Sequence, residues 1–168
     1  MSERENILEL KNVVYSFHTY GGEVKAVRDV SYEVRQGEIL GIVGESGCGK
    51  SVTAQCILRL NPEPPGFFEG GEILYKGQDV LKMSKKEIRK IRGREIGFVF
   101  QDPMTSLNPT MRVGAQIEEV FLGRTDVSKK EVKERAMDIM RLVGISAVEK
   151  RYKQYPHALS GGMKQRVM

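Results

Sequence analysis

The most specific chemistry in this chain is carried by Gly44-Glu45-Ser46-Gly47-Cys48-Gly49-Lys50-Ser51. The run fits G-x-x-x-x-G-K-[ST], a spacing in which glycines let successive backbone N–H groups turn inward around phosphate oxygens. Lys50 would reach the β- and γ-phosphates of a nucleotide, and the Ser51 hydroxyl suits a Mg²⁺ ion. Val52 and Thr53 follow in what should be the first turn of a helix, where free N–H groups can face an α-phosphate. Residues 44–53 are therefore the candidate nucleotide-binding set, with Lys50 the candidate catalytic residue and Ser51 the candidate metal ligand.

One further cluster has the residue types for phosphate chemistry, and one lone glutamine ends an apolar run. Leu159-Ser160-Gly161-Gly162-Met163 begins a basic stretch ending in Gln165-Arg166-Val167. Ser160 is a good helix N-cap, and Gly161-Gly162 lets an anion approach the backbone, so this reads as a second anion-binding helix start. Gln101 closes the apolar run Ile96 to Phe100 and precedes Asp102-Pro103.

These groups need a scaffold, and the hydrophobic pattern sketches it. Ile7 to Phe17 and Val24 to Val34 alternate loosely around Gly21-Gly22, which predicts an antiparallel strand pair. Ile39 to Val43 is a short continuous apolar run before the phosphate loop, expected to be a strand buried on both faces, and Ile96 to Phe100 has the same character. Lys50 to Leu60 has helical spacing ended by Asn61-Pro62, and Asn61 to Gly70 reads as a Pro-rich loop. Glu72 to Tyr75 and Gln78 to Val80 flank Lys76-Gly77 as a small hairpin. Ser84 to Glu87 and Ser128 to Glu131 are capping boxes, the second opening a helix over Lys129 to Val143 that Gly144 closes, with Val113 to Phe121 also helix-periodic.

Bulk properties bound the rest. The 168 residues are 40% apolar and 29% charged, with a net charge of +5, which suits one substantial core rather than a polyanion-wrapping surface. The polar start Met1 to Asn6 lacks a signal-peptide pattern, and nowhere do about 18 apolar residues run together as a membrane span requires. Cys48 and Cys56 stand without metal-ligand spacing, and both read as small buried side chains.

The phosphate loop, Gln101 and Leu159 to Val167 together resemble the ATP-binding-cassette family, whose signature is L-S-G-G-Q followed by a basic helix. The resemblance covers Ile7 to Met168, with Met163 standing where the family most often has Gln. It implies an α/β fold: a P-loop NTPase of the ABC ATPase type, with N-terminal antiparallel strands, part of a central sheet and a helical subdomain, truncated before Walker B. The implied segments are a nucleotide-binding core over 1–103, a helical subdomain over 104–158 and the signature over 159–168. In the family the glutamine matched by Gln101 approaches Mg²⁺ and the attacking water, making Gln101 a candidate catalytic and metal-site residue. Ser160, Gly161, Gly162 and Met163 would grip the ATP held by a partner subunit, two chains sandwiching two ATPs head to tail. Phe17 stands at the place of the aromatic that stacks on adenine, with Tyr15 two residues away as the alternative.

Within that family, Gly44 to Ser51, Met104 to Pro109 and Met163 look like the peptide-importer subgroup. The implied protein is the ATP-binding subunit of an importer, with ATP and Mg²⁺ as cofactors, coupling ATP binding and hydrolysis to uptake of di- and oligopeptides. Its implied partners are membrane permease subunits, a second ATP-binding subunit, identical or not, and indirectly an extracellular substrate-binding protein, with the chain peripheral on the cytoplasmic face of the membrane. The rival is a soluble ATPase of the same type acting on nucleic acid. Its support is the basic cluster Lys82, Lys85, Lys86, Arg89, Lys90, Arg92 and Arg94, but without interleaved aromatics this reads as a solvated helix face, and no nucleic acid is expected. The interval from Gln101 to Leu159 is compact, where a chromosome-organising relative would carry a long coiled coil. A second reading of Phe98 to Asp102 takes it as a degenerate Walker B strand with Asp102 as the Mg²⁺ carboxylate. The family pattern runs on past Met168 to an Asp-Glu strand end and a switch histidine, so the chain alone is expected to hydrolyse ATP negligibly.

Overall fold

The structure, a computed structural model, describes residues 5–122 and 128–168, so the first four residues of the polar N-terminal stretch lie outside it. The chain divides into two compact units, Met1–Glu95 and Ile96–Met168.

The first unit is built on a four-stranded antiparallel sheet. Strands β1 (Asn6–Thr19) and β2 (Gly22–Arg35) form the expected pair, closed by a tight turn in which Thr19 Oγ1 donates to the Gly22 carbonyl at 2.7 Å. Strand β3 (Gly66–Tyr75) lies on the other side of β1, and β4 (Gln78–Asp79) completes the order β2-β1-β3-β4. The β3–β4 hairpin turns on Lys76 (φ 48°) and Gly77 (φ 75°), the paired positive φ that a two-residue turn of this hand requires. Leu10, Val13, Tyr15, Val27 and Ile73 are almost wholly buried on the sheet, each buried aliphatic contributing about 1.5–3 kcal/mol relative to exposure.

Helix α1 (Lys50–Ile57) follows the phosphate loop, and helix α2 (Lys85–Ile91) opens with a complete capping box between Ser84 and Glu87. Ile88 and Ile91 bury one face of α2 while Lys85, Lys86, Arg89 and Lys90 stay exposed, so most of the basic cluster is indeed a solvated face. Arg92 is the exception. It is only partly exposed and turns its guanidinium onto the carbonyls of Leu58 and Arg59.

Three expectations are corrected here. Residues 39–43 are not a strand, and Ile39 and Val43 are 98% and 92% exposed. Residues 97–100 likewise take no strand pairing, with Val99 74% exposed. A strand buried on both faces exists only between hydrogen-bonding neighbours, and among the described residues no strand pairs with either run. The third is the loop over Asn61 to Gly70: its second half, from Gly66, is already β3, because Phe67 and Phe68 pair with Ser16 and Tyr15 on β1.

The second unit is helical: α3 (Pro103–Ser106), α4 (Val113–Glu119), α5 (Lys129–Leu142), α6 (Val148–Tyr152) and α7 (Gly161–Val167). The two predicted helices match α4 and α5, with Ser128 Oγ accepting from the Glu131 N–H and Gly144 (φ 75°) closing α5. Val113, Met140, Ile145, Val148 and Leu159 form its core. Helices α4 and α6 meet at Gly114, where a Cβ would collide with the ring of Tyr152. Among the described residues no helix is long and apolar enough to cross a membrane.

Candidate functional site

The phosphate loop takes its shape from two glycines and a lysine. Gly47 (φ 81°) and Gly49 (φ 95°) occupy the left-handed region that side chains with a Cβ avoid. Gly49 is doubly constrained, because a Cβ there would strike the carbonyl oxygen of Ala26 on β2. The loop is thus pressed onto the sheet just before the helix begins. Lys50 Nζ then folds back over the loop, donating to the carbonyls of Gly44 at 2.8 Å and Glu45 at 2.6 Å, with Cys48 Sγ at 3.5 Å. The ammonium and the loop backbone are therefore already in register at the mouth of α1.

Helix α1 presents its first turn at that same place. Its first turn carries no acidic residue and its Gly49 N-cap supplies no side-chain hydrogen bond, so the N–H groups at the helix start meet no internal carboxylate. Ser51 is exposed and Val52 partly so, as an anion-facing pair requires. Thr53 departs from expectation. Its N–H and its hydroxyl both donate to the Gly49 carbonyl, at 2.8 and 2.9 Å, and the residue is buried. Thr53 thus braces the Gly49 turn, its N–H consumed by the first intrahelical bond. The residues that would hold Mg²⁺-nucleotide fit the group: a glycine cradle, a lysine over it and an exposed hydroxyl at the helix start.

The two cysteines part company. Cys56 is fully buried in α1, its thiol pushed up to about 12 chiefly by burial, whereas Cys48 is exposed at the loop, correcting the expectation of a buried side chain. A loop-tip position has no core to enter. On β1 the two aromatics also separate. Tyr15 is fully buried, edge-on to Phe68 with ring centroids 4.7 Å apart, while Phe17 is partly exposed and edge-on to Tyr15 at 5.3 Å. Of the two, only Phe17 reaches solvent.

Gln101 and the signature residues belong to the second unit. Gln101 is exposed, and just after it Ser106 Oγ donates to the Asp102 carbonyl at 2.5 Å, tying the start of α3. Ser160 caps α7, its Oγ accepting from the Met163 N–H at 3.3 Å. A Cβ on Gly161 or Gly162 would meet nothing within 4 Å, so both backbones face open space. Leu159, buried in the helical core, anchors the turn from behind. Two arginine contacts have no counterpart in the sequence reading: Arg151 Nη1 donates to the Ala158 carbonyl at 3.2 Å, and Arg166 Nη1 to the Gly144 carbonyl at 2.6 Å. A long side chain reaching a backbone carbonyl leaves no periodic trace in sequence.

The pattern of the ABC transporter family matches residues 27–168. The chain is 56% identical over 162 residues to an oligopeptide transport ATP-binding protein, OppD, of Bacillus subtilis, covering 96% of this chain and 45% of that protein. It is 49% identical over 164 residues to a dipeptide transport ATP-binding protein, DppD, of the same organism, covering 98% and 49%. The chain thus spans about half the length of these curated relatives. Among solved structures, the dimeric ATP-binding cassette MJ0796 in a post-hydrolysis state with ADP and phosphate superposes with a TM-score of 0.79 at 29% identity, covering 95% of this chain and 66% of that one.

Proposed function

The chain belongs to the ABC transporter family, and from that premise we propose that it is the nucleotide-gripping portion of an ATP-binding subunit that couples ATP binding and hydrolysis to peptide uptake. The observation that carries the reading is the lysine-closed glycine loop at the mouth of α1, in a sequence 56% identical to an oligopeptide transport ATP-binding protein. Residues 44–52 and Lys50 grip the phosphates, Phe17 takes the adenine and Ser51 holds Mg²⁺, while Gln101 is the catalytic and metal-site glutamine that the family resemblance implies. When bound, Mg²⁺ would offset the charge that develops during phosphoryl transfer, with the Ser51 hydroxyl as a ligand from this chain.

Lys50 performs an exchange. Its ammonium now satisfies two loop carbonyls, and an arriving triphosphate competes for it with a full negative charge, the stronger partner for a charge-assisted bond. The segments 1–103, 104–158 and 159–168 divide the labour as core, helical subdomain and signature. Ser160 to Met163, open at Gly161 and Gly162, serve the ATP of a second ATP-binding subunit, identical or not, head to tail. Membrane permease subunits, reached from the cytoplasmic face, and an extracellular binding protein that delivers cargo complete the assembly.

Calorimetry of MgATP with the full-length subunit and its Lys50→Ala variant tests the reading. Loss of a charge-assisted bond of about 1.5–3 kcal/mol should weaken binding about tenfold or more in the variant. Equal affinity in both would overturn the assignment.

A further inference from the structure

Helix α1 has eight residues, so it is about 12 Å long, and both of its ends decide where its N-terminal turn points. The N-terminal end is pressed on β2 at Gly49. The last turn carries no basic residue of its own, so a cation at this end must come from elsewhere in the chain. Arg92, from the end of α2, fills that role: Nε donates to the Leu58 carbonyl at 2.8 Å and Nη2 to the Arg59 carbonyl at 2.5 Å.

The setting of Arg92 excludes a simple charge pair. Among the described residues no carboxylate forms a salt bridge with it, and its charge is opposed by another cation, Arg59, which donates to the Met83 carbonyl at 3.0 Å and lies 3.8 Å from Glu63. Burial and Arg59 both work against its charge. A guanidinium kept in such a place is held for its fork, which meets two successive carbonyls at once, and for the favourable placement of a cation at a helix C-terminus.

We propose that Arg92 is a positioning residue for nucleotide binding: by clamping the carbonyls of Leu58 and Arg59, where the chain leaves α1, to the end of α2, it fixes the angle at which the first turn presents Ser51 and the loop N–H groups to the phosphates. This rests on the phosphate-loop reading above. The clamp bears on the phosphate end of the ligand and leaves the adenine contact on β1 untouched.

The experiment compares affinities of the full-length subunit for MgATP and for adenosine in wild type, Arg92→Met, Arg92→Lys, Lys50→Ala and, as a control on the solvated face, Arg94→Met. Arg92→Met should weaken MgATP about tenfold while adenosine changes by less than about twofold, the signature of a misplaced phosphate cradle. Arg92→Lys, which keeps the charge but reaches only one carbonyl, should fall between. MgATP affinity in both Arg92 variants equal to that of Arg94→Met would overturn the proposal. If Arg92→Met loses both ligands together through failure to fold, folded Arg92→Lys decides: selective weakening of MgATP supports the clamp, and wild-type affinity refutes it. Unweakened MgATP binding by Lys50→Ala would instead sink the phosphate-loop reading, while a weakened Lys50→Ala beside intact Arg92 variants sinks the clamp alone.

Discussion

Tyr15 shows how a single side chain can be misjudged by type and settled by surroundings. As an aromatic on β1 it was an alternative partner for adenine, yet its ring is buried and its hydroxyl has no hydrogen-bond partner among the described residues. The phenol lies over Gly66, where a Cβ would collide with it. Burial first, then Glu63 and Cys56, push it up from 10.0 to about 12. In the unfolded chain this phenol ionises near pH 10, whereas in the fold it keeps its proton to about 12. Between those values the folded state binds more protons, so stability present below pH 10 is lost as pH rises through that window. Tyr15→Phe removes an unsatisfied buried donor, and its stability near pH 8 should be unchanged or up to about 1 kcal/mol higher. Denaturant melts from pH 8 to 11.5 should also show a shallower alkaline decline in the variant; a loss of more than about 2 kcal/mol at pH 8 would mean the hydroxyl has a partner.

Among the elements, the junction of α4 with α6 depends on one missing methyl. Glycine inside a helix costs about 1 kcal/mol relative to alanine, so Gly114 needs a packing reason. The ring of Tyr152 supplies it, occupying the space of the absent Cβ while its hydroxyl bonds Glu118 and Lys133 Nζ sits 5.7 Å from the ring centre. Gly114→Val should therefore destabilise the helical unit by about 1–3 kcal/mol through overpacking, despite a smaller backbone-entropy cost. Urea unfolding followed by helical circular dichroism would read the shift, and an unchanged midpoint would show that the ring can move aside. Periodicity made α4 and α5 legible, because their apolar residues recur at helical spacing. Helix α6 escaped the same reading: its five residues, Val148–Tyr152, are too few for a repeat, and they begin after Ala147 in a left-handed conformation that alanine rarely chooses.

For the molecule as a whole, the exposed run over 39–43 is the feature least like a finished surface. Ile39 and Val43 lie almost fully in solvent while Leu40 and Ile42 are 41% and 47% exposed, a strip that a hydrophobic dye should find. Ile39→Lys with Val43→Lys should reduce dye fluorescence of this chain while its unfolding free energy changes by no more than about 0.5 kcal/mol, since neither side chain is buried. Undiminished dye binding would move the patch elsewhere. The local pattern of the sequence determined what depends on near neighbours: the β1–β2 pair, the Lys76-Gly77 turn, the Ser84 and Ser128 caps, and the glycines and lysine of the phosphate loop. The turns and caps are governed by residues within a few positions, where φ preferences and capping act, and the strand pair by its alternation around Gly21-Gly22. Tertiary structure alone decided what depends on distant partners. It left 39–43 and 97–100 unpaired because a strand is defined by its neighbours, and it turned Arg92 inward because its two carbonyls lie more than thirty residues away in sequence.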